Sequence, residues 1–176
     1  SEMCIRDRWE GRWDAGRSKQ ESGDYAGALQ DYLAADTIDS QFAELQFRIA
    51  TCLSKLGDVE NARRRFSNAR DLDTLRFRAD TGINDAIRRV AKQESDAVTL
   101  VDTEAILADA STDGIPGREL FFDHVHLRPN GNYLVASSIY QRIESLVQRR
   151  LSSEEADNHV LSEAECDRQL ALTDYD

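Results

Sequence analysis

The chain has few cysteines and prolines, no long apolar run, and a shortage of positive charge. Cys4, Cys52 and Cys166 are odd in number and far apart, so they encode neither a disulfide framework nor a CxxC metal motif. Only Pro116 and Pro129 interrupt the chain, which leaves long stretches free to be helical. The uninterrupted apolar runs are a few residues long, far below the roughly 20 needed for a transmembrane helix, so no membrane span is expected. Ser1 to Asp14 lacks the apolar core of a cleavable signal. Lys+Arg number 22 against 33 Asp+Glu, a net charge of −11 over 176 residues. That balance works against a nucleic-acid partner, which is held by cations that displace counterions from phosphates. What is present, 40% hydrophobic and 31% charged residues, suits a folded, helix-rich chain of one domain or two small units.

The ends stand apart. Ser1–Arg8 (SEMCIRDR) has no apolar periodicity and no capping residue, so residues 1–8 read as a non-native leader. Residues 152–176 read as a truncated helical segment, with a helix-like run from Ser162. The expectation is a fragment cut at both ends.

Between them a unit repeats. Gly23-Asp24-Tyr25 recurs as Gly57-Asp58-Val59, and Ala28, Tyr32 and Ala35 match Ala62, Phe66 and Ala69 at the same offset of 34 (57 − 23). Ala15-Gly16 falls opposite Ile49-Ala50. Gly-Asp suits a tight turn between paired helices, small residues suit a close crossing, and the aromatic fills the gap. This pattern resembles the tetratricopeptide repeat; two unrelated amphipathic helix pairs are the alternative. Apolar stripes at helical spacing run through Phe42, Leu45, Ile49, Cys52, Leu53 and Leu56, through Val59, Ala62, Phe66 and Ala69, and through Ile83, Ala86, Ile87 and Val90. Cys52 lies inside the first stripe as a core thiol. Arg63-Arg64-Arg65 reads as a solvated helix face. Residues 9–94 are thus expected to be repeats and a linking helix. Two repeats are too few to close a core alone.

After residue 95 the period changes. Ala97-Val98-Thr99-Leu100-Val101 is short, apolar and β-branched, which predicts a buried strand. Asp102 or Thr103 can cap a short helix through Leu107. Gly114-Ile115-Pro116-Gly117 has turn chemistry. Phe121 to Pro129 is a loop, and the helix after it carries an apolar stripe at Ala136, Ile139, Tyr140, Ile143, Leu146 and Val147, ending near Leu151. Residues 95–151 therefore read as part of an α/β sandwich whose sheet is incomplete. A lone strand leaves N–H and C=O groups unpaired, so self-association through it is expected.

The richest stretch is Asp123-His124-Val125-His126-Leu127-Arg128-Pro129-Asn130-Gly131. A carboxylate three residues before an imidazole can fold back and accept from Nδ1–H. Nε2 is then left as a general base, and the imidazolium that forms is stabilised. Two other readings stay open: a metal site using His124, His126 and Asp123, with no fourth ligand evident, and a capped loop with ordinary hydrogen-bonded histidines.

Asp-x-x-His-Leu followed by Pro-x-Gly and an amphipathic helix resembles the last sequence block of SGNH (GDSL-type) hydrolases. Val98-Thr99-Leu100-Val101-Asp102 resembles the strand preceding that block. The resemblance covers Ala97 to about Val147 and implies that Asp123 is the triad acid and His126 the triad base. Together with the repeats it implies a tetratricopeptide-containing SGNH-type esterase or acyl hydrolase whose nucleophile half precedes the repeats. The family's Gly-Asp-Ser block is missing: both Gly-Asp pairs belong to repeat turns, and Asp39-Ser40 ends a repeat at an expected surface position. The chain alone is therefore expected to be inactive. Arg76 and Arg78 are candidate contacts for an anionic substrate or partner, with a solvated helix face as the alternative. The fold class expected is mainly α: helix hairpins of α-solenoid type, then the sandwich part. No cofactor or metal is assigned. The rival function is a non-catalytic interaction module whose repeats bind a peptide or protein.

Overall fold

The computed structural model describes residues 2–75, 77–151 and 160–173, and it is mainly helical. It divides into two compact units, Ser1–Asn84 and Asp85–Asp176.

In the first unit, α1 (Glu2–Glu21) packs on α2 (Tyr25–Asp36), α2 on α3 (Ala43–Lys55), and α3 on α4 (Val59–Asp71). The 34-residue repeat is a repeat of geometry. Gly23 and Gly57 both take φ +84°, a left-handed conformation that costs glycine little. Asp24 then caps α2 by accepting from the Gly27 N–H, and Asp58 caps α4 by accepting from the Asn61 N–H. Ala28 and Ala62 are fully buried. The core is Ala28, Tyr32, Ala35, Leu45, Ile49 and Cys52; burial pushes the Cys52 thiol pKa up, which keeps it protonated and inert.

Residues 2–8 continue α1 without a break, and Arg6 pairs with Glu10 at 2.7 Å one turn on. That helix carries Trp9 and Trp13, stacked at 5.5 Å, each meeting the edge of Phe42 at 5.4 Å. Arg65 is not a solvated charge. It donates to Asp36 at 2.9 Å and to Gln46 at 2.6 Å, while the buried Gln46 amide donates to Asp36 and the Ser40 carbonyl. A polar side chain taken into the core needs such partners, and this set ties α2, α3 and α4 together.

The boundary between the units falls in the first turn of α5 (Thr81–Gln93), ten residues before the change of period at 95. The second unit continues with α6 (Thr103–Asp109), α7 (Pro129–Leu151) and α8 (Glu163–Leu170). Asp102 caps α6 through the Ala105 N–H, as its position suggested. The same carboxylate accepts from Arg88 Nε at 2.7 Å, and Arg88 also reaches Glu104 at 2.7 Å. That fork ties α5 to the start of α6. Ser162 and Glu165 form a capping box on α8.

The strand expected at Ala97–Val101 is absent, and no strand occurs among the described residues. Residues 98–102 run with neither turn nor bend, but strand formation requires a second backbone, and the described residues of this unit offer none there. The α7 helix forms where expected, yet its apolar stripe faces outward: Ile139, Tyr140, Ile143, Leu146 and Val147 are 37% to 54% exposed. Periodicity reports that a face is apolar and says nothing about whether a partner covers it. On α5, likewise, Ile83, Ile87 and Val90 are about half exposed while Ala91 is buried.

Candidate active site

The sequence between Leu120 and Gly131 folds into a tight reverse turn feeding α7. The Arg128 N–H donates to the Leu120 carbonyl at 2.8 Å, and the Phe122 N–H to the His126 carbonyl at 2.9 Å. An isolated antiparallel bridge joins Phe121 and Leu127 between them. Pro129 occupies the first position of the helix, where its missing N–H removes nothing. Gly131 lies in the first turn: a Cβ there would meet the Leu120 carbonyl oxygen at 2.8 Å and Leu127 Cδ2 at 2.9 Å. Asn130 clamps the junction by donating to the Glu119 carbonyl at 2.9 Å. Arg128 donates to the Phe121 carbonyl at 3.3 Å and lies 4.6 Å from the centre of the Phe122 ring.

Asp123 and His126 stand at the tip. Asp123 Oδ2 lies 2.7 Å from His126 Nδ1, while Oδ1 accepts from the Val125 and His126 N–H groups, each at 2.8 Å. Those two backbone donors, and then the imidazole, hold the Asp123 carboxyl well below the usual carboxylate range. A carboxylate at Nδ1 favours the tautomer with hydrogen on that nitrogen. Nε2 makes no hydrogen bond among the described residues, and the His126 side chain is 74% exposed against 46% for Asp123. The pair is thus formed and oriented, and open to solvent.

Of the other candidates, His124 is exposed on the same turn. No group of three His, Cys, Asp or Glu able to hold a metal ion converges among the described residues. Asp39 and Ser40 are exposed, with Asp39 accepting from the Gln41 N–H at 2.8 Å. Arg78 is exposed in the irregular segment between α4 and α5 rather than on a helix face; Arg76 lies outside the described residues. The contact by which Asp123 closes the turn through Oδ1 was not read from the sequence. Its signal was available, because Asp commonly bonds the backbone N–H two residues on. No family model, curated protein or solved structure matches the chain.

Proposed function

We propose that the chain is part of a tetratricopeptide-containing SGNH-type hydrolase acting on ester bonds, with His126 as general base and Asp123 as its orienting carboxylate. The observation carrying this reading is the 2.7 Å contact between Asp123 Oδ2 and His126 Nδ1, with Nε2 turned to solvent. The repeated helix pairs with equal Gly-Asp turns support the tetratricopeptide half. In catalysis Nε2 would take the proton of an attacking hydroxyl, and Asp123 would stabilise the imidazolium that results. The hydroxyl and the oxyanion donors would come from chain preceding the repeats. A base without an in-line nucleophile contributes little, so these 176 residues alone would not hydrolyse esters.

The test joins the chain to the segment encoded directly upstream and follows hydrolysis of a short-chain ester. His126→Ala is expected to lower kcat by about three to four orders of magnitude, and His124→Ala to have a mild effect. Full activity without His126 contradicts the assignment.

A second reading is an interaction module in which Asp123 only closes a turn. It is favoured by Asp123 Oδ1, which is fully engaged by two backbone N–H groups, and by a groove of about 310 Å³ in the first unit, bordered by Ser40, Gln46, Arg65, Asn68, Asp71 and Leu72. It predicts no hydrolysis in the extended chain and peptide binding that Asn68→Ala weakens.

A further inference from the structure

The straight segment 98–101 and the neighbouring face of α5 enclose an open groove of about 460 Å³, lined by Ala86, Ile87, Val90, Ala91 and residues 98–101. Ile87, Val90 and Val98 are each about half exposed. Backbone bonds bracket the segment, from the Val98 N–H to the Glu94 carbonyl at 2.8 Å and from the Thr103 N–H to the Val101 carbonyl at 3.0 Å. Between them the N–H groups of Thr99, Leu100 and Val101 find no partner among the described residues. Leu100 and Val101 are half-buried, and unpaired backbone donors in such a place are a template for a further strand.

We propose that this groove binds an extended apolar segment of a partner protein, flanked by lysine or arginine, whose backbone pairs with residues 98–101. Two features select that occupant. A docked helix uses its own backbone groups internally and would leave these donors unmet, whereas an extended chain can accept from those on the side where it docks, Thr99 and Val101 or Leu100, and sets alternate side chains against Ile87 and Val90. Charge selects the flanks. Residues 85–176 hold 18 Asp+Glu and 9 Lys+Arg, net −9 of the chain's −11. A second copy would bring like charge to like, while a cationic segment is drawn in. Locally, Arg88 already occupies Asp102 and Glu104 at one end of the segment. Glu94 and Asp96, at the other end, hold no ion pair among the described residues. Arg89 and Lys92 of α5 are not among the lining residues. This inference rests on the second reading above, the interaction module; in the hydrolase reading, chain preceding the repeats would pair with residues 98–101 instead.

The probe is a short synthetic peptide of alternating valine and threonine with lysines at both ends, added to the whole chain. Calorimetry should show binding, and amide exchange should slow about tenfold or more on addition at alternate residues of the segment, Thr99 and Val101 or Leu100. Replacing the lysines with glutamates should weaken binding by about tenfold or more. N-methylating the peptide backbone should abolish it without altering the protein. Val90→Asp, at an exposed helix position, should abolish it with the circular dichroism spectrum retained; if that variant unfolds, the N-methylated peptide still decides. The proposal is overturned if the N-methylated or glutamate peptide binds equally well, or if a helical Leu/Lys peptide of the same charge binds as tightly. It is also overturned if exchange at 99–101 is unchanged, or if the chain alone dimerises through the groove.

Discussion

The Tyr32 ring lies so close to Gly16 that a Cβ at residue 16 would sit 2.6 Å from its Cδ1 and Cε1 atoms. This is the close crossing of α1 and α2. The ring cannot easily give way, because Tyr32 is fully buried and its hydroxyl donates to Gln20 Oε1 at 2.7 Å. Alanine in place of a mid-helix glycine ordinarily gains about 1 kcal/mol, but overpacking costs about 1–3 kcal/mol. Gly16→Ala should therefore destabilise the first unit, read as a lower urea midpoint with unchanged slope. A raised midpoint would show that the two helices are not held at this distance.

Asp31 is the buried charge of the same helix pair. It is 5% exposed and accepts from Lys19 at 2.6 Å and Arg12 at 2.7 Å. The Lys19 ammonium first, and the Arg12 guanidinium second, lower its pKa. A depressed folded-state pKa gives stability that is present above the unfolded value, about 3.9, and is lost as pH falls through the folded value. Asp31→Asn should cost about 1–2 kcal/mol at neutral pH, and the gap from the parent should close as the solution is acidified below that value. A gap constant from pH 7 to pH 2, measured by urea unfolding, would show that the charge contributes nothing.

The first unit was readable because its signals are local: Gly-Asp turns, small residues at a crossing and an aromatic repeat in every copy. Asp102 was readable as a cap for the same reason. Val98–Val101 was misread because β-branched apolar residues describe a segment fit to pair, while pairing depends on a second backbone the sequence does not announce. The stripe on α7 failed in the same way, since periodicity does not tell whether an apolar face is covered. Arg65 and Arg88 joined distant carboxylates that no spacing rule links. The Asp123–His126 contact was legible because three residues of turn suffice to make it.

Gly131 offers a test of how the turn is mounted on α7. With the Leu120 carbonyl oxygen 2.8 Å from a would-be Cβ, Gly131→Ala should push the turn off the helix. The expected loss is about 1–3 kcal/mol, with the largest amide shifts at Leu120, Leu127 and Arg128. Small, evenly spread shifts would mean that the junction adapts and the glycine is not required.

Asp123 should respond to its two functions separately. Asparagine can still accept the Val125 and His126 N–H groups but cannot face the imidazole as an anion, so Asp123→Asn should keep the turn while Asp123→Ala loses it. Because the folded-state pKa is depressed, the carboxylate's support of the turn is complete above about pH 3.9, the ordinary value, and is lost only as pH falls through the lower folded value. The Val125 and His126 amide shifts should accordingly titrate with a midpoint below that ordinary value. A midpoint at or above it would mean that those two hydrogen bonds are not held in solution.

The reading of His126 as a base oriented by Asp123 is tested most directly by the nitrogen shifts of its ring. With Asp123 Oδ2 at 2.7 Å from Nδ1, long-range ¹H–¹⁵N spectra should show hydrogen on Nδ1 and an unprotonated Nε2. Asp123→Asn should move the population toward hydrogen on Nε2, and His124 should change little. Hydrogen on Nε2 in the parent chain, or a tautomer balance unmoved by Asp123→Asn, would contradict the assignment of His126 as a base oriented by Asp123.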